Sequence, residues 1–307
     1  MITRFTVSGG GDPGIWEQIF TFDNYGELLG LVHNSLLAGV LLGLVGGLVG
    51  VFVIMRDLPF AVHGVSELSF AGAAAALLAG VNVVAGSIVG SLVAAAIGLL
   101  GVRARDRNSV IGIIMPFGLG LGVLFLSLYK GRSANKFGLL TGQIVAVDTP
   151  QLAWLVGTSL VVLAALAAIW RPLTFASADP GVAAARGVPV RALSLVFMVV
   201  LGLAVALCVQ IVGALLVLSL LVTPAAAAAR LTTSPVLLPL LSVVFALAAM
   251  EGGILLALGS AVPISPYVTT LSFVIYLVCR AVGRRRTPVP GGRQSRRADA
   301  VPARTDR

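Results

Sequence analysis

Apolar residues in this chain run in long unbroken blocks separated by short polar or glycine-marked breaks. Nine blocks stand out, at 31–55, 60–79, 83–102, 109–128, 152–170, 192–209, 212–229, 236–258 and 267–282. A stretch of about 20 apolar residues is what a helix needs to cross the hydrocarbon of a bilayer. A helix that is apolar all round is buried in protein or lipid. The pattern therefore predicts an all-α, polytopic membrane protein of about nine transmembrane helices, or eight if one of the shortest breaks, at 56–59 and 210–213, does not reverse the chain. On this division residues 30–282 form the transmembrane domain. Residues 1–29 read as an extracytoplasmic, interfacial segment marked by Trp16, Phe20, Phe22 and Tyr25, without the basic start and apolar core of a signal peptide. Residues 283–307 read as a polar, basic, disordered cytoplasmic tail.

Composition agrees with the blocks. Hydrophobic residues make up 58% of the chain and charged residues 11%, against about 25% charged in soluble domains. The net charge of +9 does not point to nucleic acid, because nine of the 21 basic residues lie from Arg280 onward and most others fall in short breaks. With the N-terminus outside, 17 of the 21 lie on the inner side, which predicts an N-out, C-in protein of the cytoplasmic membrane, its tail attracted to anionic lipid. Lys130, Arg132 and Lys136 are the discordant group. Cys208 and Cys279 fall in apolar blocks, make no disulfide or zinc pattern, and read as small buried hydrophobes.

Two ionisable residues break the second block. His63 and Glu67 are four apart, so they share one helical face. Charge within a span is costly and usually marks a cavity, a partner or an ion path. Imidazole beside carboxylate is also a donor set for a divalent cation. The competing reading is a hydrogen-bonded pair that fastens two helices. Glu251, in the eighth block, is a further candidate as third metal ligand, proton carrier or structural anchor. His33 reads as interfacial, and Gln143 and Asp148 as loop-shaping. Gly39, Gly43 and Gly47 recur every four residues, with Gly46 and Gly50 on a neighbouring stripe, a spacing that lets helices approach closely. Pro116 and Pro224 lie inside blocks and predict kinks.

A short cytoplasmic helix is expected between the fifth and sixth blocks. Asp179 suits an N-cap, Pro180 the first helical position, the run around Ala184 the body, and Gly187 the stop. Its role can be a surface connector or a docking element for a soluble partner.

No Gly-x-x-x-x-Gly-Lys-Ser/Thr, His-Glu-x-x-His or Gly-x-Ser-x-Gly sequence occurs, so the chain carries no phosphate-cradling loop of its own and no familiar hydrolase motif. Four segments resemble a known family: residues 212–231, beginning Val-Gly-Ala-Leu-Leu and containing Thr223-Pro224-Ala-Ala-Ala-Ala-Ala; the basic turn and polar-marked helix from Arg56 to Gly72; the loop Leu140-Thr-Gly-Gln-Ile-Val-Ala-Val; and residues 179–188. Together they make the chain, from about 36 to 282, similar to a permease subunit of the ATP-binding-cassette importers of zinc, manganese and related metals. The resemblance implies that no cofactor is held permanently and that the transported divalent metal is the cargo. It implies that ATP is used by a separate cytoplasmic ATPase docking at Asp179, Pro180, Ala184 and Gly187. An extracytoplasmic metal-binding protein, and a second permease copy in a homodimer, are the other implied partners. It further implies that His63 and Glu67 line the metal site, although the family commonly carries Asp-x-x-x-His there and this chain has the two donor types in reverse order. Two rivals follow from the residues themselves: a proton-coupled carrier working alone through Glu67 and Glu251, and a membrane enzyme.

Overall fold

The computed structural model describes residues 32–100, 107–131, 138–139, 142, 147, 149–258 and 264–284. Regular structure among them is helical throughout: α1 (His33–Met55), α2 (Pro59–Ala79), α3 (Val83–Leu100), α4 (Arg107–Leu128), α5 (Thr149–Ala178), α6 (Pro180–Ala185), α7 (Val190–Val212), a 3-10 turn (Ala214–Leu216), α8 (Val217–Leu221), α9 (Thr223–Leu231), α10 (Leu237–Leu258) and α11 (Ile264–Arg284). Seven are long and apolar enough to cross a membrane, and Val83–Ile97 and Val217–Leu231 are shorter apolar stretches. The fold is that of a polytopic helical membrane protein. The expected interfacial segment, the basic tail, Gln143 and Asp148 lie outside the described residues.

Three helices form the centre. Within the spanning windows of α1, α2 and α7, 67%, 72% and 72% of residues are buried, against 22% in α4 and α5 and 17% in α11. The inner helices meet through glycine. Gly39, Gly43 and Gly47 of α1 face Glu251, Leu247 and Val243 of α10, a matched four-residue repeat on two antiparallel helices. Ser242 Oγ donates to the Gly47 carbonyl at 2.7 Å across this contact, a bond that the missing side chain makes accessible. Gly46 and Gly50 meet Leu220 and Leu221 of α8 instead. α2 and α3 approach by the same means, since a methyl group at Gly72 would collide with the Gly86 carbonyl and one at Gly90 with the Leu68 carbonyl. Ser69 Oγ, 2.8 Å from Ser87 Oγ, adds a buried polar link between them.

Two expectations about the helices need correction. The fifth block does not end near Trp170; α5 continues through Arg171 and Pro172 to Ala178. Pro172 removes from the ladder the amide that would bond the Ala168 carbonyl, but buried Leu173 and Ala176 hold the extension against the body. The seventh block is not one continuous helix. Gly213 takes φ 87°, ψ 153°, a conformation open essentially to glycine. The chain then passes through the 3-10 turn and α8 and restarts as α9. Pro224 thus stands in the first turn of a new helix, where its missing N–H has no partner to lose, and does not kink a continuous span. Pro116 does lie within α4.

Candidate metal site

α2 carries the pair. Pro59 opens it in the first helical turn and Gly80, at φ 69°, closes it. Between them the helix is largely buried; Phe60, Leu78 and Ala79 near its ends are exposed, and Pro59, His63, Gly72, Ala75 and Leu77 are partly so. His63, about one turn from exposed Phe60, is thus partly uncovered in the single chain. Glu67 is one turn further along and deeper. The His63 side chain is 29% exposed and that of Glu67 3%. Ser66, buried beside them, donates to the His63 carbonyl at 2.8 Å.

The distance between the two groups bears on what the pair can do. His63 Nδ1 and Glu67 Oε1 are 3.8 Å apart, beyond the range of a hydrogen bond. His63 Nδ1 and Glu67 Oε2 are buried and have no hydrogen-bond partner among the described residues. A fastening pair would bond directly, because each buried polar atom left unmatched costs about 1–3 kcal/mol. Two donors at metal–ligand lengths near 2.1 Å around one tetrahedral ion lie about 3.4 Å apart. The observed separation is close to that and needs only a small side-chain adjustment.

Neighbouring helices hold the site through residues that charge and motif reasoning passes over. Gly118 of α4 faces the backbone of Glu67 and Leu68, where a side-chain carbon would sit 3.0 Å from the Glu67 carbonyl carbon. Gly122 seats the Phe70 ring in the same way. The run of glycines in the fourth block, at 112, 118, 120 and 122, is the signal that points to such a contact.

Glu251 is placed elsewhere. Its carboxylate lies over Gly39, where a side-chain carbon would come within 2.5 Å of Oε1, and Oε1 has no hydrogen-bond partner among the described residues. No group of three His, Cys, Asp or Glu side chains able to hold a metal forms among the described residues, so the single chain does not join Glu251 to His63 and Glu67. His33 is exposed at the start of α1. Both cysteines are buried and free.

The short helix α6 forms one and a half turns. Asp179 Oδ1 accepts from the Gly181 and Val182 amides at 3.0 and 2.9 Å, Pro180 begins the helix, and Gly187 leaves it at φ 81°. Ala183 is fully buried, while Gly181, Val182, Ala184 and Ala185 are exposed. One face of α6 is thus seated and the other open.

Residues 29–283 match the description "ABC 3 transport family". The chain belongs to this family. Among its relatives, the manganese transport system membrane protein MntC of Halalkalibacterium halodurans is 30% identical over 224 residues, covering 72% of this chain and 77% of that one. The high-affinity zinc uptake system membrane protein ZnuB of Haemophilus influenzae is 26% identical over 251 residues, covering 81% and 96%. The solved structure of PsaBC from Streptococcus pneumoniae in complex with Fab superposes with a TM-score of 0.75 at 26% identity, over 83% of this chain and 95% of that one. The chain is therefore a multi-pass permease of the cytoplasmic membrane in an ATP-binding-cassette transport family.

Proposed function

We propose that this chain is the membrane-spanning subunit of an ATP-driven importer of a divalent transition metal, with His63 and Glu67 as transient ligands of the passing ion. The observation that carries the reading is the open pair: two donors 3.8 Å apart, not bonded to each other, on a central helix, with His63 partly uncovered. Relatives that carry manganese and zinc in their names support the cargo class. A second copy placed about a two-fold axis beside the uncovered edge of His63 would bring another such pair to the ion. The path then runs between two subunits in a homodimer, which is consistent with the lack of a third donor near His63 among the described residues of one chain.

In this mechanism an extracytoplasmic metal-binding protein delivers the ion to the outer mouth. His63 and Glu67 replace part of its lost hydration, and a pair of weakly organised donors releases it again. A separate cytoplasmic ATPase docks on the open face of α6 and drives the change between outward-open and inward-open states. The chain lies N-out and C-in, which places α6 and the α1–α2 turn on the cytoplasmic side. Imidazole and carboxylate accept both metals, and at equal geometry zinc binds such a site more tightly than manganese. Zinc is therefore the favoured cargo, and manganese becomes the cargo where the delivery protein selects it.

The test is uptake into liposomes holding the permease with its ATPase and binding protein. Glu67→Gln keeps the side-chain volume and removes the anion. Uptake of zinc is expected to fall at least tenfold while assembly with the ATPase is unchanged. Wild-type uptake in that variant would remove the pair from the path, and uptake driven by a pH gradient without any ATPase would replace the importer with a proton-coupled carrier.

A further inference from the structure

We propose that Arg56 is a positioning residue that couples movement of the short helix α6 to the metal pair on α2. The proposal rests on the reading of α6 as the ATPase docking element and adds the route by which its motion reaches the metal pair.

Arg56 occupies the turn between α1 and α2. Its Nη2 donates to Ser194 Oγ at 2.5 Å, and its guanidinium carbon lies 5.6 Å from the centre of the Phe197 ring. Both partners are near the start of α7, which begins at Val190. Only Arg186 to Pro189 separate α7 from α6. Phe197 in turn stands edge-on to Phe52 at 5.9 Å, and Phe52 edge-on to Trp170 at 4.8 Å. Trp170 belongs to α5, the helix that enters α6 from the other side through Asp179. The two helices that hold α6 are therefore both tied to one cluster, and Arg56 and Phe52 supply the end of α1 to it.

The turn on the other side of Arg56 is stiff. Asp57 is in the left-handed region at φ 54°, the Leu58 amide bonds back to the Val53 carbonyl at 2.9 Å, and Pro59 starts α2 at once. Leu58 and Val53 are buried. This is a helix stop of the Schellman kind running straight into a proline start, with no slack residue to absorb displacement. His63 lies four residues past Pro59, about one helical turn into α2. A shift of α7 passed to Arg56 thus moves the base of α2 and the pair upon it. A cavity of about 310 Å³ bordered by Phe52, Met55, Trp170 and Thr174 on one side and Thr232 and Leu238 on the other leaves room for the rings to repack. Arginine suits the place because its flat guanidinium lies over a ring and donates in its own plane together, whereas lysine offers only a point charge.

The experiment uses the full complex in liposomes with zinc as probe, reading zinc moved per ATP hydrolysed. For Arg56→Gln and for Phe197→Leu we expect complex assembly, equilibrium zinc binding and ATP hydrolysis to stay within about twofold of wild type. Zinc moved per ATP is expected to drop about tenfold or more. Arg56→Lys should be intermediate, and the double variant Arg56→Gln/Phe197→Leu no worse than the worse single one. A normal ratio in Arg56→Gln overturns the proposal, as does a parallel fall of hydrolysis, assembly and uptake, which marks a purely structural role. Absence of ATP-dependent uptake in the wild type would instead overturn the importer reading beneath it.

Discussion

Asp57 shows how much a single backbone conformation can demand. It is the one non-glycine residue with positive φ among the described residues, at 54°, and it is exposed. Left-handed backbone costs most L-residues about 1–2 kcal/mol, with Asp and Asn least affected. A change there acts through the backbone, not through lost contacts. Asp57→Gly is expected to match or raise the melting temperature in detergent, and Asp57→Val to lower stability by about 1–2 kcal/mol. Equal melting of the two variants would show that the turn is not held as described. Nothing in the local sequence announces this conformation, because Asp57 is also ordinary in a simple polar turn. His63 and Glu67 are the opposite case. Ionisable groups stand out in an apolar block whatever surrounds them, so the pair was legible. That it is not hydrogen-bonded depends on rotamers and neighbours, and only the folded chain reveals it.

At the scale of elements, α6 was legible nearly residue by residue, because capping is local chemistry. Asp179 bonds amides two and three residues ahead, and Gly187 supplies the left-handed exit. Removing the cap by Asp179→Ala should cost about 1 kcal/mol of local helix stability. As α6 is the proposed docking element, affinity for the ATPase is expected to fall severalfold, measured by co-purification or titration of the ATPase onto the reconstituted permease. Unchanged affinity with uncoupled hydrolysis would place docking elsewhere. This readout separates α6 from Arg56, whose variants are expected to dock normally. The run of α5 past Pro172 was not legible, since Arg-Pro after an apolar block reads as a stop. Burial of Leu173 and Ala176 carries the helix through. The break after Gly213 was foreseen only as a short turn. Within residues 217–231 Pro224 marked a kink, but the division into α8 and α9 at Val222 was decided by the fold.

On the scale of the whole molecule, cross-links between distant residues set which helix ends lie together. Asn34 donates to the Val147 carbonyl at 3.2 Å at one end, while Arg56 and Ser194 join the ends of α1 and α7 nearest α6 at the other. With charge bias this gives the proposed N-out, C-in arrangement, and cysteine labelling tests it. In a chain with Cys208 and Cys279 replaced, Val81→Cys is expected to react with a membrane-impermeant maleimide in right-side-out cells. Thr233→Cys, at the α6 end, should react only after permeabilisation. The reverse pattern would invert the protein and move α6 away from any cytoplasmic ATPase. By itself the sequence determined the helical membrane class, the places of most spans, the short capped helix, the glycine stripes and the two donors one turn apart. All of these follow from short-range backbone preference and from the cost of moving groups out of water, which each segment meets alone. The tertiary structure alone decided that Gly39, Gly43 and Gly47 receive Glu251, Leu247 and Val243, that Arg56 reaches Ser194 and Phe197 over a hundred residues away, and that Glu251 stands apart from the pair. In an alphabet dominated by Leu, Val, Ala and Gly many helix pairings are nearly equal in local energy. The choice among them is made by how all the helices pack at once.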